Sequence, residues 1–125
     1  MQLIKTKILF DGFNELKDCF IGLEKDIITY VGKKKPSGNH DLTYECGAVT
    51  PAFIDAHSHI GMVRSGEPAI EEEANEHMES IFPLGNALHS VYMDDSSFKE
   101  SVAFGVLYSV VLPGSGNIIS GKGVL

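Results

Sequence analysis

His57 and His59, in the run Pro-Ala-Phe-Ile-Asp-Ala-His-Ser-His-Ile-Gly-Met over residues 51–62, are the side chains in this sequence best spaced to do chemistry. Residues two apart on a strand project to the same side. Two neutral imidazoles so placed can share one divalent ion, at a metal–nitrogen distance of about 2.0–2.1 Å for zinc. The Ala-Phe-Ile-Asp segment before them is apolar without alternation, the pattern of a strand buried on both faces. The C-terminal ends of parallel strands are where α/β folds place their ligands. Asp55 shares the histidines' parity one step deeper, where it would hydrogen-bond a ligand or orient a histidine. The plainer alternative is two polar residues that finish a strand.

Other chemistry-bearing residues are less well placed. Gly116-Asn-Ile-Ile-Ser-Gly-Lys122 fits the GxxxxGK of a phosphate-binding loop and follows an expected strand. Gly123, however, stands where Ser or Thr should meet magnesium, and Pro113-Gly114-Ser115 separates strand from motif. No helix is expected after it whose N-terminus could face phosphates. A glycine-rich loop, with Gly114, Ser115, Gly116 and Asn117 near the end of a strand, is the favoured reading. Glu71-Glu72-Glu73 sits in an acidic run, and consecutive helical residues diverge by about 100°, so no shared ligand role is assigned to it. His40, His77 and His89 are read as surface or locally bonded, and neither Lys99 nor Lys122 sits where a metal-bridging lysine would.

The elements that must position the histidine pair are readable from pattern. Residues 1–10 alternate, with Ile4, Ile8 and Phe10 expected on the apolar face of a strand. Residues 11–18 are expected as a turn region. Residues 19–32 suggest two short strands joined around Glu24-Lys25-Asp26. Residues 33–41 form a loop rich in Lys, Pro, Gly and Asn, and residues 42–50 a further strand. Together these suggest a small antiparallel sheet or part of a β-sandwich. From Pro51 the pattern changes. The acidic residues 68–79 are expected as a loop or short exposed helix. Asp94-Asp95-Ser96 opens a helix that buries Phe98, Val102 and Ala103 and ends at Gly105. Residues 106–113 are a second buried strand. Strand, excursion, helix and strand make a βαβ unit with a parallel pair.

The chain has 125 residues, 43% hydrophobic and 22% charged, enough for a globular core. A net charge of −7, with Lys33-Lys34-Lys35 as the sole basic cluster, argues against nucleic acid as a partner. The longest apolar stretch is too short to span a bilayer, and no signal peptide is expected. Cys19 and Cys46 make neither a disulfide framework nor a CxxC pair, which suggests a reducing cytoplasm.

The β-rich start followed by Pro51-Ala-Phe-Ile-Asp-Ala-His-Ser-His59 resembles the opening of the amidohydrolase superfamily. Asp94-Asp95, the helix ending at Gly105-Val106, and Val110-Val-Leu-Pro-Gly-Ser-Gly-Asn-Ile-Ile-Ser-Gly121 narrow it, resembling the imidazolonepropionase-related amidohydrolases. The resemblance covers nearly the whole chain. It implies residues 1–50 as part of a composite β-sandwich and residues 51–125 as the first strands and helix of a (β/α)8 metal-dependent hydrolase barrel. It carries the metal-ligand role onto His57 and His59, with zinc expected and iron or manganese as alternatives. It also implies hydrolysis of amide or cyclic amide C–N bonds in a small molecule by a metal-activated water. A full barrel takes about 250 residues, so the chain reads as an N-terminal fragment, inactive alone. The remaining ligands and catalytic residues are expected beyond residue 125. Uncovered apolar strands would drive self-association into a homo-oligomer. Two other classes stay open on the residues alone: a nucleotide binder through Gly116–Lys122, and a non-catalytic β-rich interaction module.

Overall fold

The structure is a computed structural model that describes residues 1–38, 40, 42–64 and 66–125. It divides into two compact units, Met1–Pro51 and Ala52–Leu125.

The first unit is a four-stranded sheet of β1 (Gln2–Phe10), β2 (Glu15–Glu24), β3 (Ile27–Gly32) and β4 (Leu42–Val49), in the order β3-β2-β1-β4. Two tight turns make the hairpins. At the first, the Asp11 carboxylate accepts from the backbone N–H groups of Phe13 (2.8 Å) and Asn14 (2.7 Å). Those bonds, Asn14's first, hold the Asp11 carboxyl below its ordinary value. The turn is therefore only four residues long, and residues 15–18, expected within it, begin β2 instead. At the second, Lys25 takes a left-handed φ of 56°, as a two-residue hairpin turn requires.

Two expectations for this unit are corrected. The sheet is mixed, because β4 runs parallel to β1. With β2 and β3 filling one edge of β1 by hairpins, the chain reaches the other edge through a crossover, and a strand delivered that way can join in parallel. Asn39 and Asp41 of the expected loop lie outside the described residues. The buried face of β1 is not Ile4, Ile8 and Phe10 either. Leu3, Thr6 and Leu9 are buried, Ile4 is half-buried, and Ile8 and Phe10 are exposed. Ile4 and Leu9, of opposite parity, pack in one cluster with Leu16, Cys19, Ile21 and Val49. Between them the β1–β2 pairing skips Lys7 and Asp18, and Asp18 has a left-handed φ of 49°. The alternation is broken there, and the inward side changes parity.

The second unit pairs β5 (Phe53–Ser58) with β6 (Val106–Val111) in parallel, as the expected βαβ pattern requires. The excursion between them is mostly irregular, with 3-10 turns at Ala69–Glu71 and Ala87–His89, and it leads into α1 (Ser96–Ala103). Asp95 caps α1: its Oδ1 accepts from the Ser97 N–H at 2.8 Å and from the Ser97 hydroxyl. Gly105, at φ 84°, ends it as the left-handed residue after the C-cap Phe104. The buried face expected of α1 forms only in part. Phe98 is half-buried, whereas Val102 and Ala103 are exposed, because the helix lies against β6 with no further layer over its other side. Phe98 packs instead on Gly61, where a Cβ would stand 2.8 Å from its ring. Met62, Ala74, Ala87 and Val111 form the core, with Ile60, Val91 and Val124 against it. Phe53, Ile54, Leu107 and Tyr108 on the two strands are each more than half exposed.

Residues 116–122 are not a phosphate-binding loop in form. They run into isolated bridges, Ile119 with Ile81, Lys122 with Asn86, then Val124 with Val111, and residues 123–125 are not helical. Among the described residues no helix is long and apolar enough to cross a membrane.

Candidate metal centre

Both histidines sit where β5 ends. The β5–β6 register shifts between Asp55 and Ser58, so that three steps on β5 match two on β6. A bulge of this kind re-aims side chains at a strand end. Asp55 stabilises it: its Oδ1 accepts from the backbone N–H of His57 at 3.1 Å. The aspartate singled out in the sequence thus holds the backbone of a histidine rather than its ring. His57 is exposed, and its side chain makes no hydrogen bond among the described residues. The His57 and His59 rings stand edge to face with centroids 5.4 Å apart.

His59 is half-buried and tied to the neighbouring strand's exit. Its Nδ1 lies 2.7 Å from the Leu112 carbonyl oxygen, and the Leu112 N–H returns a bond to the Ser58 carbonyl at 2.9 Å. A carbonyl can only accept, so Nδ1 carries the proton and the neutral ring keeps its lone pair on Nε2. This is the arrangement by which a backbone oxygen prepares a histidine for a metal. The donors fit a divalent ion as a partial set. Among the described residues no group of three His, Cys, Asp or Glu side chains converges.

Residues 113–120 lie beyond β6 and fasten the acidic excursion. The Gly114 N–H donates to the Ala74 carbonyl (2.5 Å) and the Gly116 N–H to Asn75 Oδ1 (2.8 Å). Asn117 takes the Glu76 N–H on Oδ1 (3.1 Å) and donates from Nδ2 to the carbonyls of Glu76 (2.7 Å) and Glu79 (2.9 Å). Of the four loop residues expected near the site, Gly114, Gly116 and Asn117 act through this clamp, and Ser115 is exposed. Together the excursion and loop line a partly open cavity of about 290 Å3, bordered among others by Met62, Glu73, His89, Pro113 and Asn117. Sequence reasoning placed His89 on the surface, and it is exposed, at the rim of this cavity. His40 is locally bonded, 3.1 Å from the Ser37 carbonyl, and His77 is exposed. Glu72 is engaged by Asn75 Nδ2 at 3.2 Å.

This fold is similar to that of a Thermotoga maritima amidohydrolase, with a TM-score of 0.76 over 98% of the chain at 26% identity. In sequence the chain is 28% identical over 110 residues, 82% of its length, to the amidohydrolase tasK of Hapsidospora irregularis. It is 40% identical over 55 residues to an imidazolonepropionase of Aliivibrio fischeri. In fold and in sequence the chain is similar to amidohydrolases. No protein-family model matches it. The chain spans 11% of the Hapsidospora protein, 13% of the Aliivibrio protein and 32% of the Thermotoga chain. The histidine pair, its bulge and the carbonyl behind His59 all lie in the second compact unit.

Proposed function

We infer that the protein to which this segment belongs hydrolyses an amide or cyclic amide C–N bond of a small molecule, with His57 and His59 as two ligands of a divalent metal. The observation that carries this reading is the Leu112 carbonyl on His59 Nδ1, which leaves Nε2 free, with the uncommitted His57 ring centred 5.4 Å away. When bound, such a metal lowers the pKa of water toward 7 and polarises a carbonyl. The chain's own residues do the positioning. Asp55 fixes the His57 backbone, Leu112 fixes the His59 tautomer, and the clamp from Gly114 to Asn117 holds the wall beside them. Zinc suits two imidazoles, with iron or manganese as the alternatives.

In this reading residues 1–50 contribute to a β-sandwich and residues 51–125 open the barrel. Two free cysteines, one buried and one half-buried, support a reducing, cytoplasmic setting. The test is the full-length protein with His57→Ala and His59→Ala together. Elemental analysis should find metal content lost, and amide hydrolysis lost with it. Unchanged metal content in the double variant would remove the centre of the proposal.

A further inference from the structure

The cavity beside His59 has a chemical character of its own. Both strand exits lead from it to that histidine. Met62 lines it, and the Met62 N–H donates to the His59 carbonyl at 3.0 Å. Pro113 lines it too, next to the Leu112 carbonyl that holds His59 Nδ1. Its volume of about 290 Å3 suits a small ring or short chain. Met62, Phe82, Leu84, Ala87 and Pro113 supply the apolar part of its lining, and the exposed Glu73 and His89 stand at its rim.

Its polar groups divide into two sets. Asn75, Asn117 and Asn86 are spent on the protein: Asn75 on Gly116, Asn117 on Glu76 and Glu79, and Asn86 on the Leu88 N–H at 3.2 Å. Glu76 accepts from the Met78 N–H at 2.8 Å. These bonds keep the walls in place before any ligand arrives, which lowers the ordering cost of binding. The Glu73 carboxylate and the His89 imidazole also line the cavity, and neither side chain makes a hydrogen bond or ion pair among the described residues. No lysine or arginine lines it. Arg64 is engaged elsewhere, 3.1 Å from Asp94 and stacked 4.7 Å above the Tyr92 ring. Lys122 reaches this region through its backbone, donating to the Gly85 carbonyl.

We propose that this cavity is a substrate subsite that takes an uncharged or cationic N–H-bearing group and turns away a carboxylate. An N–H donor finds the free Glu73 carboxylate. A carboxylate would face Glu73 and Glu76 across a partly open cavity with no lysine or arginine to offset them. This departs from what the name of the Aliivibrio relative says of that protein, whose substrate bears a propionate. The inference rests on the amide-hydrolase reading for its choice of probes but not for its outcome.

The experiment compares two hydantoins that differ only at position 5, one with a propyl and one with a propionate group. Each is titrated calorimetrically into full-length His57→Ala protein, so that turnover does not consume the probe. The propyl compound should bind at least ten-fold more tightly. Glu73→Lys should reverse the ratio by at least ten-fold toward the propionate, and Glu73→Gln should narrow it. Equal or reversed affinities in the parent protein, or binding of neither compound, overturn the subsite. Hydrolysis is measured separately on the protein with both histidines intact. If the binding preference holds but no amide is cleaved, the subsite stands and the catalytic reading falls. If amides are cleaved but the propionate binds better, the reverse follows.

Discussion

Asp55 offers a quantitative test of how the histidine pair is held. Its carboxylate makes one hydrogen bond, 3.1 Å, to the His57 backbone N–H at the register shift of β5. Asp55→Ala deletes the acceptor. His57 is exposed, so water can take over its N–H, and no buried donor is stranded. The loss is then the net worth of one hydrogen bond, about 1 kcal/mol. Spent on the pre-ordering of one ligand, that is about a five-fold weakening of metal affinity, since about 1.4 kcal/mol corresponds to ten-fold. Asp55→Asn keeps an oxygen in the same place and should stay within about two-fold of the parent, well inside the value of one hydrogen bond. The assay is competition for zinc against a chromophoric chelator, with the full-length protein, at fixed pH. If Asn proves as damaging as Ala, the charge of Asp55 matters directly and its role as a backbone strut is refuted.

The two thiols should differ in reactivity. Burial pushes the Cys19 thiol up from its ordinary value, and the neighbouring Asp18 charge adds to the effect, so it stays neutral and shielded where Cys46 is half-exposed. Alkylation at pH 8 followed by peptide mass analysis should modify Cys46 first and Cys19 only on unfolding; equal rates would mean that the sheet does not enclose Cys19. Because the folded value is raised, the contribution of the neutral Cys19 thiol to stability is fully present below the unfolded thiol pKa and is lost as pH rises through the folded one. Denaturant midpoints should therefore fall with rising alkaline pH, less so in Cys19→Ala. The 125-residue chain by itself should self-associate, since Phe53, Ile54, Leu107 and Tyr108 leave β5 and β6 widely exposed. Light scattering at micromolar concentration should give a mass above 13.6 kDa that rises with concentration; a constant 13.6 kDa would show that these faces do not pair.

What was legible in the sequence is what a local period encodes. The βαβ order, the aspartate cap of α1 and the glycine that ends it each depend on residues within a turn or two of one another. The proximity of His57 and His59 follows from the two-residue repeat of a strand, even though the strand bulges beneath them. What was missed is non-local. The side of β1 that β4 joins depends on a connection across the sheet, and a single left-handed residue on β2 was enough to undo the parity read for β1. The clamp between the excursion and residues 114–117 is made of side chain-to-backbone bonds between positions about 40 residues apart. Such bonds impose no period on either segment, so the cavity they shape was invisible.

The same distinction runs through the metal centre. His57 is held by a neighbour two positions away, through Asp55, so its placement belongs to β5 alone. His59 depends on Leu112, 53 positions along the chain, and therefore on the whole crossover that delivers β6 beside β5. Forming β5 is enough to bring the two rings near each other, but only the completed parallel pair supplies the carbonyl that accepts from His59 Nδ1 and leaves Nε2 for the proposed metal. Damage to the crossover, at the Asp95 cap or at Gly105, should thus impair His59 while sparing His57. On the proposed reading the βαβ unit is the smallest piece that makes both histidines competent ligands. A peptide carrying residues 51–62 alone contains the motif without the oxygen that prepares its second histidine.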